Sequence, residues 1–250
     1  MVGIFITARL GSTRLSQKHL IEIEDKPMIK WLVDRFDFGF KNEILEKKIK
    51  IFITTSNKEE NRLFETVFEN SNVKIFYGSN SNIPLRHLQC AKAHNIDYIL
   101  SVDGDDILCS IEASKIVIKK LLETGNLVKT IGLPLGMNVM GYSTLFLERS
   151  LDQNKIEKIE TGWGKIFEEK DIITIEIENN LNCEKIRVTL DYNEDVLFFN
   201  SVITGIGNEI NTISDKDLVE KIIINNWSIA NENLIYTYWE NFNKQKKAEK

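Results

Sequence analysis

The chain of 250 residues predicts an α/β protein, a mainly parallel sheet covered by helices on both faces in three αβα layers. Three observations carry this. Short apolar runs of strand length alternate with stretches of helical apolar spacing, the rhythm of strand–helix–strand units. Runs such as Ile4-Phe5-Ile6 are continuous, as strands buried on both faces are. Polar chemistry then gathers just after the runs, at the edge where such sheets bind ligands.

Taken in order, the first run breaks into a loop holding Gly11, Ser12 and Thr13, flanked by Arg9, Arg14 and Lys18. Asp25 is expected to cap a helix with Lys26-Pro27 in its first turn, since Met28, Trp31, Leu32 and Phe36 recur at helical spacing. Ile49 to Thr54 is the second strand. Ser56 with Glu59 three residues on has the form of a capping box, and Leu63, Phe64, Val67 and Phe68 give the helix after it an apolar face. Val73 to Tyr77 is a third strand, Leu85 to His94 a short helix with His87 and His94 on a partly exposed face, and Tyr98 to Val102 a fourth strand. Ser110 caps a helix reaching about Leu122.

From Asn126 to Cys183 the rhythm loosens. Ile172 to Ile177 alternates Ile with Thr and Glu, as an exposed antiparallel strand would. Trp163, in its glycine-rich turn, is open between a lid and a core anchor. Ile186 to Leu190 reads as a strand, Asn193 to Phe199 begins a helix, and Ser214 caps another through Ile224. The expected organisation is a single domain over 1–250. Within it, 126–183 is an insertion that binds the second substrate or pairs with another copy, and 244–250 is a frayed tail.

Composition narrows the function. A hydrophobic content of 42% and a charged content of 28% are those of an ordinary soluble globular chain. A net charge of −5 argues against a general nucleic-acid binder, so the cations that matter are local. Cys90, Cys109 and Cys183 form no C-x-x-C pair, which argues against zinc and suits a reducing cytoplasm. No apolar run approaches the ~20 residues that span a bilayer, so no membrane partner is expected.

Two stretches carry chemistry. The loop after the first run combines Gly11, which lets backbone approach a ligand, with turn N–H groups that make a concave anion site. Its arginines grip phosphate with a planar fork and Lys18 supplies a point charge. The loop therefore suits a polyphosphate, or else it is an ordinary basic turn. Asp103-Gly104-Asp105-Asp106 sets three carboxylates at a strand end, where they repel unless a cation or basic groups neutralise them. Mg²⁺ takes one or two carboxylates plus phosphate oxygens and waters. The alternative is a solvated acidic turn.

Ala8-Arg9-Leu10-Gly11-Ser12-Thr13-Arg14-Leu15, then Lys18, then Lys26-Pro27-Met28, resembles the N-terminus of the CMP-sugar synthetases. Those cytidylyltransferases activate 3-deoxy-manno-octulosonate and sialic acids, and the spore coat polysaccharide cytidylyltransferase group is related to them. Ser16-Gln17 stands where that family has Pro-Gly, and Glu24-Asp25 where it has Gly-Gly. Gly104-Asp105 resembles the family's Gly-Asp element, with Asp103 and Ile107 at positions usually held by Gln or Thr and by Pro. Arg187-Val188-Thr189-Leu190-Asp191-Tyr192-Asn193-Glu194-Asp195 is similar to its R-x-T-x-D-x-x-E-D.

The resemblance implies a nucleotide-diphospho-sugar transferase-like, Rossmann-like fold. It also implies transfer of CMP from CTP to an acidic sugar or similar small acceptor, for surface glycan or glycoconjugate synthesis. Arg9, Arg14 and Lys18 would hold the triphosphate, backbone around Ala8, Leu10, Gly11 and Ser12 would read the base, and Asp105 and Asp191 would hold Mg²⁺. Gly78 and Arg86 match positions of the spore coat group, with Arg86 within reach of the base or the second substrate. Related enzymes pair through an inserted β segment, so a homodimer is consistent with the resemblance. Other readings stay open. Asp103-Gly104-Asp105 is a D-x-D, as in nucleotide-sugar glycosyltransferases of the GT-A type. A phosphorylated or phosphonate acceptor would suit the same chemistry, and a non-catalytic relative would keep only the sheet.

Overall fold

The structure, a computed structural model, describes residues 1–154, 156–178, 181 and 183–248. Lys155, Asn179, Asn180 and Asn182, in the stretch expected to bind the acceptor, and Glu249 and Lys250 of the expected tail lie outside them.

The strands are β1 (Val2–Thr7), β2 (Glu22–Ile23), β3 (Lys26–Pro27), β4 (Ile49–Ser56), β5 (Lys74–Gly78), β6 (Tyr98–Asp103), β7 (Leu127–Ile131), β8 (Met140–Ser143) and β9 (Ile172–Glu176). The helices are α1 (Met28–Gly39), α2 (Lys41–Leu45), α3 (Leu63–Val67), α4 (Ile83–His94), α5 (Ile111–Thr124), α6 (Thr144–Gln153), α7 (Asn193–Ile206), α8 (Asp215–Ile224) and α9 (Leu234–Ala248). Seven strands form one sheet in the order β5-β4-β1-β6-β8-β7-β9. The first four run parallel, β8 is antiparallel to both its neighbours, and β9 is parallel to β7.

Successive side chains of a strand point to opposite faces, and the core obeys this. Ile4 and Ile6 pack with α1 and α5 residues such as Leu32 and Val117, whereas Phe5 packs on the other face with Phe52, Ala91 and Phe146. A third cluster gathers α7 and α8 around Ile107, Met137 and Val188. The register sets Thr7 beside both Thr54 and Asp103. The loops after β1, β4 and β6 therefore emerge from one edge, as the alternating pattern predicts.

Several expectations change. Asp25 does not cap α1. Glu24 and Asp25, with φ of 53° and 55°, form the two-residue turn of the β2–β3 hairpin, and α1 starts after Pro27. Ser56 ends β4, and its hydroxyl accepts from Asn61 Nδ2 at 2.8 Å rather than capping a helix. Asn82 caps α4, accepting from the Leu85 N–H at 2.9 Å. Strand β9 is parallel to its neighbour, not antiparallel, because it returns to β7 after a crossover.

The 126–183 stretch supplies β7, β8 and β9, three of the seven strands of the main sheet. Residues 186–190 make no strand, only an isolated bridge of Arg187 to Leu135. Their N–H groups go to loops, Val188 to Leu135 O at 2.7 Å and Leu190 to Asp105 O at 2.9 Å. Fraying was expected from Lys244, yet α9 continues through Ala248.

The left-handed pair at the hairpin is a place where local chemistry opposes local shape, since such a conformation costs a residue with a Cβ about 1–2 kcal/mol. Glu24→Gly is therefore expected to stabilise the protein by about 1 kcal/mol, read as a higher urea midpoint at unchanged slope.

Candidate active site

The cleft is built where the loops after β1 and β6 touch. The Gly104 N–H donates to Thr7 O at 2.8 Å, and a Cβ on Gly104 would lie 2.8 Å from that oxygen and from Ala8 Cβ. Only glycine permits this approach. Across the cleft, Gly136 has φ of 93°, and a Cβ there would lie 2.2 Å from Val188 O. Both glycines hold loop backbones against each other beside the acidic turn.

Into this frame the 3-10 turn Lys18–Leu20 delivers Lys18, buried like Asp191. Its ammonium donates to Asp105 Oδ2 at 2.5 Å and Asp191 Oδ1 at 2.9 Å. Arg14 donates to the same Asp191 oxygen at 2.6 Å. The other Asp191 oxygen accepts from Arg187 Nη2 at 3.1 Å, and Arg187 also reaches both oxygens of Asp195 at 2.9 and 3.1 Å. Asp195 in turn accepts the N–H groups of Asp191 and Tyr192 at 2.8 and 2.9 Å at the start of α7.

Burial alone would lift the Asp191 carboxyl, but Lys18, Arg14 and Arg187 outweigh it and hold it at about 2. Burial would lower Lys18, but Asp105 and Asp191 raise it above the usual lysine value, so it stays an ammonium. The outer acids behave differently. Enclosure by the walls, then the Asp105 charge, push Asp103 up to about 7, although Asp103 keeps solvent access. Asp106 is driven well up by burial and then by Asp105 and Asp103.

The other end of the cleft belongs to α4 and the segment docked on it, where Ile159 exchanges backbone bonds with Ser81 and Ile83 at 2.8 and 3.1 Å. Arg86 is buried there and donates through Nε to Ser79 O at 2.9 Å. Burial brings its pKa down to about 10, so the guanidinium is still charged at neutral pH. Arg9 pairs with Glu160 at 2.8 Å. His87, expected on a partly exposed face, is fully buried. Its Nε2 lies 2.8 Å from Thr7 Oγ1 and its Nδ1 2.6 Å from the Tyr142 hydroxyl. Trp163 packs edge-on against His87 and Tyr142, so it anchors this core while lining the cleft.

Of the residues singled out by sequence, the cleft wall includes Ala8, Arg9, Ser12, Arg14, Lys18, Arg86, Asp105 and Asp191. It does not include Leu10, Gly11 or Gly78. Leu10 turns into the core while its N–H donates to Asn61 Oδ1 at 2.9 Å. Gly11 faces Glu60, and Gly78 lies beneath the Arg86 side chain. Sequence reasoning missed Arg187 as a positioning group, although it stands in the quoted motif. It also missed Glu160 and the α9 residues Tyr238, Phe242 and Gln245, which no motif marks.

Among the described residues no group of three or more His, Cys, Asp or Glu is arranged to hold a metal. The donor chemistry nevertheless fits a hard divalent cation: Asp105 and Asp191 converge on one cationic point, which the Lys18 ammonium fills here, and phosphate oxygens and water would complete such a site. The buried pair behind it is testable. Removing one partner of a buried ion pair leaves an uncompensated charge, so Asp195→Ala is expected to cost about 3–5 kcal/mol, measured by denaturant unfolding.

Comparisons with known proteins agree with this geometry. A family model described as cytidylyltransferase matches residues 3–246. An uncharacterized protein of Methanocaldococcus jannaschii is 29% identical over 201 residues, covering 78% of this chain and 79% of its own. A cytidylyltransferase structure from Leptospira borgpetersenii serovar Hardjo-bovis has a TM-score of 0.79 at 24% identity, covering 92% of this chain and 97% of that one. A 4-diphosphocytidyl-2C-methyl-D-erythritol synthase from Anaerococcus prevotii has a TM-score of 0.58 at 15% identity, covering 81% and 96%. A CMP:2-keto-3-deoxy-manno-octonic acid synthetase complexed with CTP has 0.58 at 12%, covering 82% and 98%. These structures share its fold, and by the match over nearly its whole length the chain belongs to the cytidylyltransferase family.

Proposed function

We propose that the protein transfers CMP from CTP to a small acceptor, an acidic sugar or a compound like it, with release of pyrophosphate. Supply of an activated sugar for surface glycan or glycoconjugate synthesis in the cytoplasm is the role that suits this product. The observation that carries the reading is the convergence of Lys18, from the loop after β1, on Asp105 and Asp191 from two other loops across one cleft.

An acceptor oxygen forms a bond to the α-phosphorus in line while the bond to the bridging oxygen breaks and pyrophosphate leaves. Such chemistry depends on positioning and on neutralising charge. Arg9, Arg14 and Lys18 lie where a triphosphate's oxygens would meet them. Arg86 is a fixed charge at the α4 end, where the Thr7 hydroxyl, tied to His87, faces the nucleoside. Asp105 and Asp191 would hold Mg²⁺, which when bound supplies charge neutralisation at the α-phosphate and acidifies the acceptor hydroxyl. Arg187 acts through Asp191, holding that carboxylate in place.

Lys18 and Arg14 are engaged by carboxylates, so phosphate must exchange places with them. CTP should therefore bind weakly without a divalent cation and at least about tenfold more tightly with MgCl₂, read by titration calorimetry. Asp105→Asn, at a half-buried position, should lower pyrophosphate release by about 10²–10³-fold without weakening metal-free CTP binding. Lys18→Ala should raise the CTP concentration needed for half-maximal rate. The deciding screen measures pyrophosphate release from each of the four nucleoside triphosphates across acidic sugars and phosphorylated acceptors. No release from CTP with any acceptor, alongside hydrolysis of a UDP-sugar, would replace this reading with the glycosyltransferase one.

A further inference from the structure

Helix α9 lies well beyond the last motif that sequence reading could place, yet it forms one wall of the cleft. Tyr238, Phe242 and Gln245 line it from a single face, at the spacings of four and three that stack side chains on one side of a helix. Both ends of this face are tied down. At one end the Arg187 guanidinium sits over the Tyr238 ring at 4.8 Å, and Asn241 Nδ2 donates to the Tyr192 hydroxyl at 3.0 Å. Asn231, just before the helix, donates to Asp195 Oδ1 at 2.9 Å and to Arg187 O at 3.0 Å. At the other end the Thr161 hydroxyl donates to Gln245 Oε1 at 3.2 Å, and the Lys246 stem lies where a Cβ on Gly162 would meet it at 2.8 Å. The helix thus runs from the Asp191 side to the glycine-rich turn.

The chemistry of this wall differs from that of the rest of the cleft. Every charged cleft-lining residue comes from the β1 loop, the β6 loop, Arg86, Glu160 or Asp191. Helix α9 contributes two rings and an amide. The Phe242 and Tyr238 rings stack at 6.1 Å with 21° between planes. A ring face takes the C–H side of a cyclic ligand, and an amide takes hydroxyls in either direction.

We propose that Tyr238, Phe242 and Gln245 form the acceptor subsite, and that it recognises the uncharged, polyhydroxylated face of a sugar ring. This rests on the CTP reading, in which the β1 loop and Arg86 hold the nucleotide and the α9 wall is left for the acceptor. An acidic group on the sugar points away from α9. Specificity for the ring is set by the C-terminal helix together with Thr161.

The test uses the full-length protein and saturation-transfer NMR titrations with 3-deoxy-manno-octulosonate, N-acetylneuraminate and, as the acyclic control, 2C-methyl-D-erythritol 4-phosphate. CTP affinity is measured separately by calorimetry with MgCl₂. At least one of the two sugars is expected to bind wild type through its ring C–H protons, and the acyclic control more weakly. Phe242→Ala and the exposed-site variant Gln245→Ala should each weaken that sugar by about tenfold. Phe242→Tyr should keep its affinity, and CTP affinity should stay within about twofold throughout. Three results overturn the proposal: neither sugar binds wild type, sugar affinity survives both alanine variants, or CTP affinity falls with them, which would make α9 a nucleotide wall. If wild type fails to bind CTP, the nucleotide reading falls, and the sugar titrations still decide the wall.

Discussion

The cleft depends on the solvation of one buried carboxylate. Asp191 cannot keep a charge out of water without partners, and it has three, Arg14 and Lys18 on one oxygen and Arg187 on the other. Two come from the loop after the first strand, and the third lies four residues before it in sequence. The charge on Asp191 therefore fixes how the two ends of the chain's motif-bearing region sit against each other. Asp195 extends the constraint. By accepting from Arg187 and from the Asp191 and Tyr192 N–H groups just before α7, it sets the direction in which that helix leaves the site, and so where the α7–α8 layer covers the sheet.

This arrangement explains how one cleft accommodates five acids among its lining residues. Asp105 and Asp191 share Lys18, whereas Asp103 and Asp106 respond to the crowding by binding protons more tightly. On the reading proposed above, the ammonium takes the place of a divalent cation and the carboxylates that of phosphate oxygens. Ligand binding is then an exchange of partners between groups already in place, with little new desolvation to overcome.

Much of this was legible in the sequence, for a local reason. Strand-end residues are placed by the fold class once the strands are found, so Arg14, Lys18 and Asp105 could be put on one edge without knowing the strand order, whereas Asp191 was marked by its motif alone. What failed was whatever depends on distant contacts. Glu24 and Asp25 have helix-cap chemistry, but the hairpin required two left-handed residues there. Residues 186–190 have a strand's composition, but their neighbours are the loops at Leu135 and Asp105. His87 looked amphipathic because a helix facing the sheet carries a polar residue wherever a buried partner awaits it, here Thr7 and Tyr142. The stretch read as an insertion completes the sheet because β8 closes against β6 with reversed direction and carries β7 on its other edge, a choice that alternation alone does not encode.

The same distinction separates chemistry from selectivity in this molecule. Groups that would act on phosphate lie on short loops at strand ends and leave motifs, because their spacing is set by the sheet. The α9 wall is set by packing instead. Tyr238 is held by Arg187, and Gln245 is held by Thr161, so its position follows from the network around Asp195 and not from a sequence interval. A wall anchored in this way can change its rings and amides with little disturbance to Asp191 or Lys18. The helix still inherits a fixed orientation from the buried ion pairs beneath it. Retaining the charge network while varying the helix face is thus a physical route by which one nucleotide-activating framework can serve different acceptors.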